Sequence, residues 1–233
     1  VERVNRYVKT IDFPGPNETI TIHEDVSFYS ISLDSPNNGT FLPKVEVMHT
    51  DECFRLYLLN ATNQAQLTRF VNQTATNIWR TFPAGLMTGA GMLIANPAYG
   101  ENPMLAGNFT NGAYHGTVVW SWQMAMMAKG LEYQLDRCEG GDMPHFCRDA
   151  VVYGNVKKAY NVLWDSIDAN KDRLDEEVWS WVYRDGEFDA TPLGALPPPP
   201  GVPSQTGKLH HIVSDAANYG GILQNLTSVN YGR

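Results

Sequence analysis

The chain has 233 residues, 43% of them hydrophobic, which is enough for one large domain or two small ones with a packed core. Its formal net charge is -8 and its Lys and Arg residues form no cluster, which argues against nucleic acid or an anionic membrane as a partner. No apolar stretch is long enough to cross a bilayer, so no membrane span is expected.

The first fifth of the chain is predicted to be extended. Residues 19–23 and 26–33 alternate, or nearly alternate, between polar and apolar side chains, as strands do. Proline, glycine and asparagine at 14–16 and 36–39 are typical of turns. We therefore expect a β-rich segment over residues 1–50, either a hairpin layer or an irregular excursion between helices.

Helical patterns dominate the next part of the chain. Apolar residues at helical spacing predict a helix over 63–80, which Pro83 ends, and a loop rich in glycine and proline follows over 84–112. The predicted helix over 117–136 is apolar on nearly every face, as enclosed helices are. The helix over 149–168 is apolar on one face only, so the two helices are expected to form an αα-hairpin.

The last part of the chain is less regular. A short aromatic segment over 175–183 leads into a turn at 185–188. The proline run 197–200 is typical of a stiff linker or crossing segment, and the tail beyond residue 210 is weakly helical. On this pattern, residues 51–233 are predicted to hold α-helical hairpins.

Six glycosylation sequons favour a secreted chain that carries N-linked glycans. Their number exceeds the one or two expected by chance, and their asparagines are Asn17, Asn38, Asn60, Asn72, Asn108 and Asn225. The chain begins at Val1 without a signal-peptide pattern, so a processed chain or a piece of a longer one is expected. The remaining segment of such a longer chain would be a partner.

The three cysteines fit the same compartment. Cys138 and Cys147 flank a short loop with two glycines and a proline, and we predict a disulfide between them. Cys53 is left over, and is either buried and free or paired outside this chain. A metal site is not expected, because His145 is the only imidazole near the pair.

One segment carries a family resemblance. It reads Tyr114-His115-Gly116-Thr117-Val118-Val119-Trp120-Ser121-Trp122. It resembles the segment that opens a late inner helix in the six-hairpin glycosidases, the (α/α)6-barrel hydrolases related to glucoamylase and to glycogen-debranching glucosidases. The resemblance implies a mainly α fold that is the C-terminal part of an (α/α)6 toroid. It also implies hydrolysis of a glycosidic bond, with an α-glucosidic bond as the candidate linkage, without metal or organic cofactor.

Glycoside hydrolysis usually needs two carboxylic acids, one as proton donor and one as base or nucleophile. The resemblance implies that only the C-terminal one of them, the base, lies in this chain. Glu177 is the first candidate because tryptophans follow it closely, and an apolar wall raises the pKa of a carboxyl group. Glu187 in the predicted turn is the second candidate, and Glu176 is expected to be silent.

Several polar and aromatic residues are predicted to bind the sugar, since sugar rings stack on indoles and polar side chains bond to hydroxyls. They are Asn111, Tyr114, His115, Trp120, Trp179 and Trp181, with Asn96 and Tyr99 as weaker candidates. Trp120 and Trp122 are expected to point to different sides of one helix, so that only one of them faces a cavity.

Two other functions stay open. A polysaccharide lyase of α/α-toroid type would use Asn111, Tyr114 and His115 to remove a proton beside a uronate carboxylate, although such enzymes need a basic cleft. A non-catalytic carbohydrate-binding or assembly module would need no acid partner at all.

Overall fold

The computed structural model describes residues 2–10, 25–33, 42–58, 62–141, 143–198, 201 and 203. In these ranges the helices are α1 (Glu2–Thr10), α2 (Glu52–Leu58), α3 (Gln64–Trp79), α4 (Met104–Asn108), α5 (Ser121–Asp136) and α6 (Ala150–Ala169). The strands are β1 (Ser32–Leu33), β2 (Lys44–Val45), β3 (Met48–His49), β4 (Met87–Thr88), β5 (Gly91–Met92), β6 (Ala95–Asn96), β7 (Val119–Trp120), β8 (Val178–Arg184) and β9 (Glu187–Pro192).

Local capping signals start the two helices that the sequence predicts best. The side chain of Asn63 accepts the backbone N–H of Gln66 at 3.1 Å and begins α3. Asp149 likewise accepts the backbone N–H groups of Val151 and Val152 and begins α6. The helices predicted over 63–80 and 149–168 are therefore confirmed.

The core lies between four helices. α3 packs beside α6, α6 packs against α5, and α5 packs against the short α2. Phe70, Leu131 and Leu163, from the three long helices, are almost entirely buried in one cluster. This packing holds the first turn of α5 beside α2, and the candidate site forms there.

A three-stranded antiparallel sheet packs against this helical core. β8 is the central strand and pairs with both β7 and β9. The β8–β9 turn has Asp185 at a φ of 54° and Gly186 at a φ of 90°, the left-handed conformation that tight two-residue hairpin turns require. The remaining strands form three two-residue ladders, β1 with β2, β3 with β6, and β4 with β5.

The predicted (α/α)6 toroid is wrong. The described residues contain helices packed with small sheets, and no ring of helical hairpins occurs among them. The segment from 178 to 184 is rich in β-branched and aromatic residues and forms the central strand β8. The residues just before α5 also form a strand, β7, so the helix predicted over 117–136 begins only at Ser121.

The β-rich segment predicted over 1–50 also needs correction. Residues 2–10 form α1, which buries Val4 and Tyr7, three positions apart on one helix face. Only Ser32 and Leu33 of the predicted strand 26–33 are in a strand. The predicted strand 19–23 lies outside the described residues.

The predicted disulfide is confirmed. Cys138 and Cys147, nine positions apart in sequence, are bonded to each other. Cys53 is free and buried, and burial raises the pKa of its thiol to about 12. Among the described helices, none is long and apolar enough to cross a membrane.

Candidate functional site

An aromatic cleft of about 380 Å³ opens where β7 ends and α5 begins. A volume in this range is typical of sites for small molecules. The cleft is lined by Ile31, Asp51, Ile94, Ala95, Phe109, His115, Trp120, Trp122 and Gln123. Three predicted structural regions, the early strand region, the loop 84–112 and the resemblance segment, therefore meet at one place.

Both tryptophans of the resemblance segment line the aromatic cleft. Trp120 is the last residue of β7, with extended backbone at φ −114° and ψ 125°, and Trp122 lies in the first turn of α5. The expectation that the two indoles diverge is wrong, because it treated both residues as helical. The change from strand to helix at Ser121 turns both side chains to one side.

The loop before β7 is held by close backbone contacts. The N–H of Thr117 donates to the carbonyl oxygen of Thr110 at 3.2 Å. A Cβ atom on Gly116 would lie 1.9 Å from that same oxygen, so only glycine fits at this position. This geometry holds Tyr114 and His115 beside Trp120, and His115 lines the cleft.

The aromatic rings of the segment form one continuous wall. The ring centre of Tyr114 lies 4.9 Å from that of His115 and 4.8 Å from that of Trp120. The ring centre of Trp122 lies 5.8 Å from that of Trp120. The indole N–H of Trp120 donates to the carbonyl oxygen of Tyr114 at 3.0 Å. Trp120 is only 9% exposed and forms the floor, whereas His115 is exposed and Trp122 half-buried.

A carboxylate faces the wall from the start of α2. Gln123 is buried, and its Nε2 donates to Oδ1 of Asp51 at 3.0 Å. The hydroxyl of Thr50 donates to Oε1 of Gln123 at 2.9 Å and so fixes the orientation of the amide. The side chain of Asp51 is 54% exposed, so its carboxylate is held in place and still accessible.

Sequence reasoning missed Asp51, Trp122 and Gln123. The signal for Gln123 is a polar side chain in the first turn of a helix that is otherwise apolar all round, since such a group must find a buried partner. Asp51 carries only the general signal of an acidic residue just before a helix. Its meeting with Gln123 depends on the packing of α2 against α5.

Glu177 and Tyr114, both predicted site residues, are brought together. The phenol of Tyr114 donates to Oε1 of Glu177 at 2.8 Å. Oε2 of Glu177 is buried and has no hydrogen-bond partner among the described residues. The backbone N–H of Ser121 donates to the carbonyl oxygen of Glu177 at 3.1 Å, which ties this residue to the start of α5.

The environment of Tyr114 keeps its phenol protonated. Burial first, and then the hydrogen bond and the charge of Glu177, raise the pKa of Tyr114 well above its usual value. Tyr114 is therefore a hydrogen-bond donor at every physiological pH. It donates to Glu177 and so orients that carboxylate.

Glu187 lies far from Glu177. It is exposed, begins β9 and pairs in register with Arg184, seven positions after Glu177. A strand rises about 3.3 Å per residue, so the two carboxylates are roughly 20 Å apart. Two carboxyl groups that act on one glycosidic bond are about 5–10 Å apart. Glu177 and Glu187, the two alternative candidates for the base, therefore belong to different places in the structure.

Trp179 and Trp181 are placed in the core, not in the cleft. Trp179 is completely buried, and its indole N–H donates to the carbonyl oxygen of Ala90 at 2.7 Å. Trp181 is buried as well and donates to the carbonyl oxygen of Thr117 at 2.7 Å. Neither ring is available for a sugar, because both fill the space between β8 and its neighbours.

Three other predicted binding residues also have structural contacts. Asn111 donates from Nδ2 to the carbonyl oxygen of Trp181 at 2.9 Å and fixes its loop on β8. Asn96 is fully buried and donates to the carbonyl oxygens of Pro83 and Gly85. The phenol of Tyr99 donates to the carbonyl oxygen of Ala84 at 2.6 Å.

Two buried titratable side chains, those of His49 and Glu52, lie close to Asp51 in the sequence and near each other in the structure. Nδ1 of His49 accepts the backbone N–H of Asp51 at 3.2 Å and lies 3.5 Å from Oε2 of Glu52. Burial lowers the pKa of His49 and raises that of Glu52 to about 8. In the described part of the chain, no group of three His, Cys, Asp or Glu side chains is arranged to hold a metal ion.

Comparison with known proteins adds no relative. No protein-family model, curated protein or solved structure matches this chain.

Proposed function

We propose that this protein is a secreted glycoside hydrolase, or a part of one, that binds a neutral sugar in the aromatic cleft. The observation that carries the proposal is the Tyr114–Glu177 hydrogen bond, which holds a carboxylate next to an aromatic wall. The resemblance of residues 114–122 to six-hairpin glycosidases supports the same chemistry, without the toroid fold.

The lining of the aromatic cleft suits a sugar. Aromatic rings offer an apolar platform for the C–H face of a pyranose, and Asp51 offers acceptors for its hydroxyl groups. The lining contains no Lys or Arg among the described residues. A neutral substrate therefore fits better than an anionic one.

Glu177 acts as the base in this proposal. A general base must accept a proton from water, and Oε2 of Glu177, although buried, has no other described partner that competes for that proton. Tyr114 donates to Oε1 and fixes the plane of the carboxylate. A carboxylate fixed in this way loses little orientational freedom in the transition state.

The environment of Tyr114 and the lining of the cleft give less support to the lyase alternative. A lyase base of the tyrosine type must lose its phenolic proton, and the raised pKa of Tyr114 opposes that loss. A uronate substrate would also need a cation in the cleft, and its described lining has none.

The test is the Glu177→Gln variant, which keeps the shape of the side chain but removes its charge. We expect turnover of maltotriose and other neutral oligosaccharides to fall by a factor of about 10²–10⁴, with little change in melting temperature. Glu176→Gln is the matched control, because Glu176 contacts Arg173 at 3.0 Å instead of Tyr114. Near-normal turnover in Glu177→Gln would overturn the assignment of the base. Unsaturated, ultraviolet-absorbing products from a uronate polymer would overturn the hydrolase proposal.

A non-catalytic carbohydrate-binding module is the second candidate. Asp51 is the one carboxylate among the described cleft-lining residues, and Glu177 reaches the wall only through Tyr114. Retained binding of maltotriose without turnover in the unmodified chain would favour this candidate.

Secretion has its own test. Asn108 is exposed at the end of α4, whereas the side chain of Asn72 accepts a hydrogen bond from Asn155 at 2.9 Å between α3 and α6. We expect native protein to carry a glycan on Asn108 and not on Asn72. The sequons at Asn17, Asn38, Asn60 and Asn225 lie outside the described residues. Peptide mapping before and after deglycosylation measures all six, and unmodified asparagine at each of them would contradict secretion.

A further inference from the structure

The aromatic wall continues beyond the cleft onto α2. The ring centre of Phe54 lies 5.5 Å from that of Trp122. Phe54 is 43% exposed although the indole of Trp122 lies beside it. The exposed ring of His115, the half-buried ring of Trp122 and the exposed ring of Phe54 therefore form one series, with the buried Trp120 between His115 and Trp122.

Asp51 stands beside this extension. It precedes α2 directly, and Phe54 lies in the first turn of the same helix. Its Oδ1 accepts from Gln123, the residue next to Trp122. The fixed carboxylate acceptor that lines the cleft thus also accompanies a further aromatic platform, one ring further along the wall. Stacking on a ring with hydroxyl groups bonded to a carboxylate is the arrangement that a sugar unit requires.

We infer that the aromatic cleft binds at least two consecutive sugar units, and that Phe54, Trp122 and Asp51 form the site of the second unit. This inference rests on the proposed function, since the first unit is the one that packs on His115 and Trp120, at the end of the wall where Tyr114 contacts Glu177. The occupant is the next unit of the same oligosaccharide, because the ring series from His115 to Phe54 is unbroken. The preferred substrate is accordingly an oligosaccharide and not a single sugar.

The test compares glucose with maltotriose and cellotriose by isothermal titration calorimetry, in a Glu177→Gln background that prevents cleavage. We expect the better trisaccharide to bind at least tenfold more tightly than glucose. Phe54→Ala should remove most of this difference and leave the affinity for glucose unchanged. Asp51→Asn should weaken trisaccharide binding several-fold.

Tyr133→Ala is the matched control. Tyr133 is also 43% exposed, and it lies on α5 eleven residues after Trp122, about 16 Å along the helix. We expect this variant to bind all three sugars like the parent. Phe54→Leu keeps an apolar side chain of similar size but removes the ring, so it should behave like Phe54→Ala even if the alanine variant is less stable.

The two proposals fail in different ways. Equal affinity for glucose and both trisaccharides, or trisaccharide affinity unchanged in Phe54→Leu, would overturn the second sugar site and leave the first one standing. A parent that binds none of the three sugars would overturn both.

Discussion

The chain contains the tripeptide Trp-Ser-Trp twice, and the two copies lie side by side with different tasks. Trp120-Ser121-Trp122 spans the end of β7 and the start of α5, whereas Trp179-Ser180-Trp181 lies within β8. The strands pair with Val119 opposite Trp179. The first pair of indoles lines the aromatic cleft, and the second pair fills the core.

The difference comes from the backbone and not from the side chains. In a continuous strand, residues two apart point to the same face, so both indoles of β8 enter the core. At the β7–α5 junction the backbone changes to helix at Ser121, so Trp122 lies in a new element. Its indole is only half-buried there. One sequence pattern therefore builds an interior in one place and an exposed surface in another.

The largest expected effect is on stability. Trp179→Ala should lower the free energy of unfolding by about 3–5 kcal/mol, because it leaves a cavity in a completely buried site and an unpaired carbonyl at Ala90. Trp122→Ala should cost about 1 kcal/mol, since its ring is half-exposed. Urea unfolding monitored by circular dichroism measures both, and equal losses would contradict the division into core and cleft pairs.

The second prediction concerns the buried carboxyl of α2, the helix that carries the extended wall. The pKa of Glu52 is raised to about 8 in the fold, so the folded state holds more protons than the unfolded state between pH 4.5 and 8. Stability should therefore fall as pH rises through this window. Glu52→Gln should remove that slope and add on the order of 1 kcal/mol or more at pH 9.

The slope of stability against pH is best measured for Glu52 between pH 7 and 9. The neighbouring His49 has a lowered pKa and is neutral there, whereas at lower pH its own titration gives a slope of the opposite sign. Glu187→Gln, on the exposed end of β9, is the control and should leave the slope unchanged. A Glu52→Gln protein with the parent's slope over pH 7–9 would show that another group is responsible.

The third prediction separates the two tryptophan pairs by binding. Trp122→Ala should weaken the binding of maltotriose about tenfold, equal to about 1.4 kcal/mol, because a stacking platform is lost. Trp181→Phe should bind the sugar normally, although it loses the hydrogen bond to Thr117. Calorimetric titration of both variants provides the comparison, and an equal loss in the two would mean that the β8 pair also contacts the ligand.

The smallest effect is expected at the central serines. The hydroxyl of Ser180 is fully buried and donates to the carbonyl oxygen of Asn111, so Ser180→Ala should cost about 1 kcal/mol of stability. The hydroxyl of Ser121 makes only a long contact of 3.4 Å to the carbonyl oxygen of Glu177, and Ser121→Ala should be nearly neutral. The reverse order in urea unfolding would show that the junction serine holds the cleft.

Elements with strong local signals were predictable. The caps at Asn63 and Asp149 and the helical spacing behind them define α3 and α6, because caps and periodicity act within a few residues. The disulfide between Cys138 and Cys147 was predictable for the same reason, since the loop between them is short and rich in turn residues. The (α/α)6 toroid was predicted from the family resemblance and not from such local signals, and the described residues do not form it.

The candidate site shows the same division. The sequence by itself determined that Tyr114, His115 and Trp120 belong together, because they lie within one short segment, and it singled out Glu177 for its aromatic neighbours. Only the tertiary structure decided that Tyr114 bonds to Glu177 across 63 positions, that Asp51 meets Gln123 across 72, and that Trp179 and Trp181 are buried. The physical reason is that such contacts depend on how β7, β8, α2 and α5 pack together, and side-chain patterns within one element carry no information about that packing.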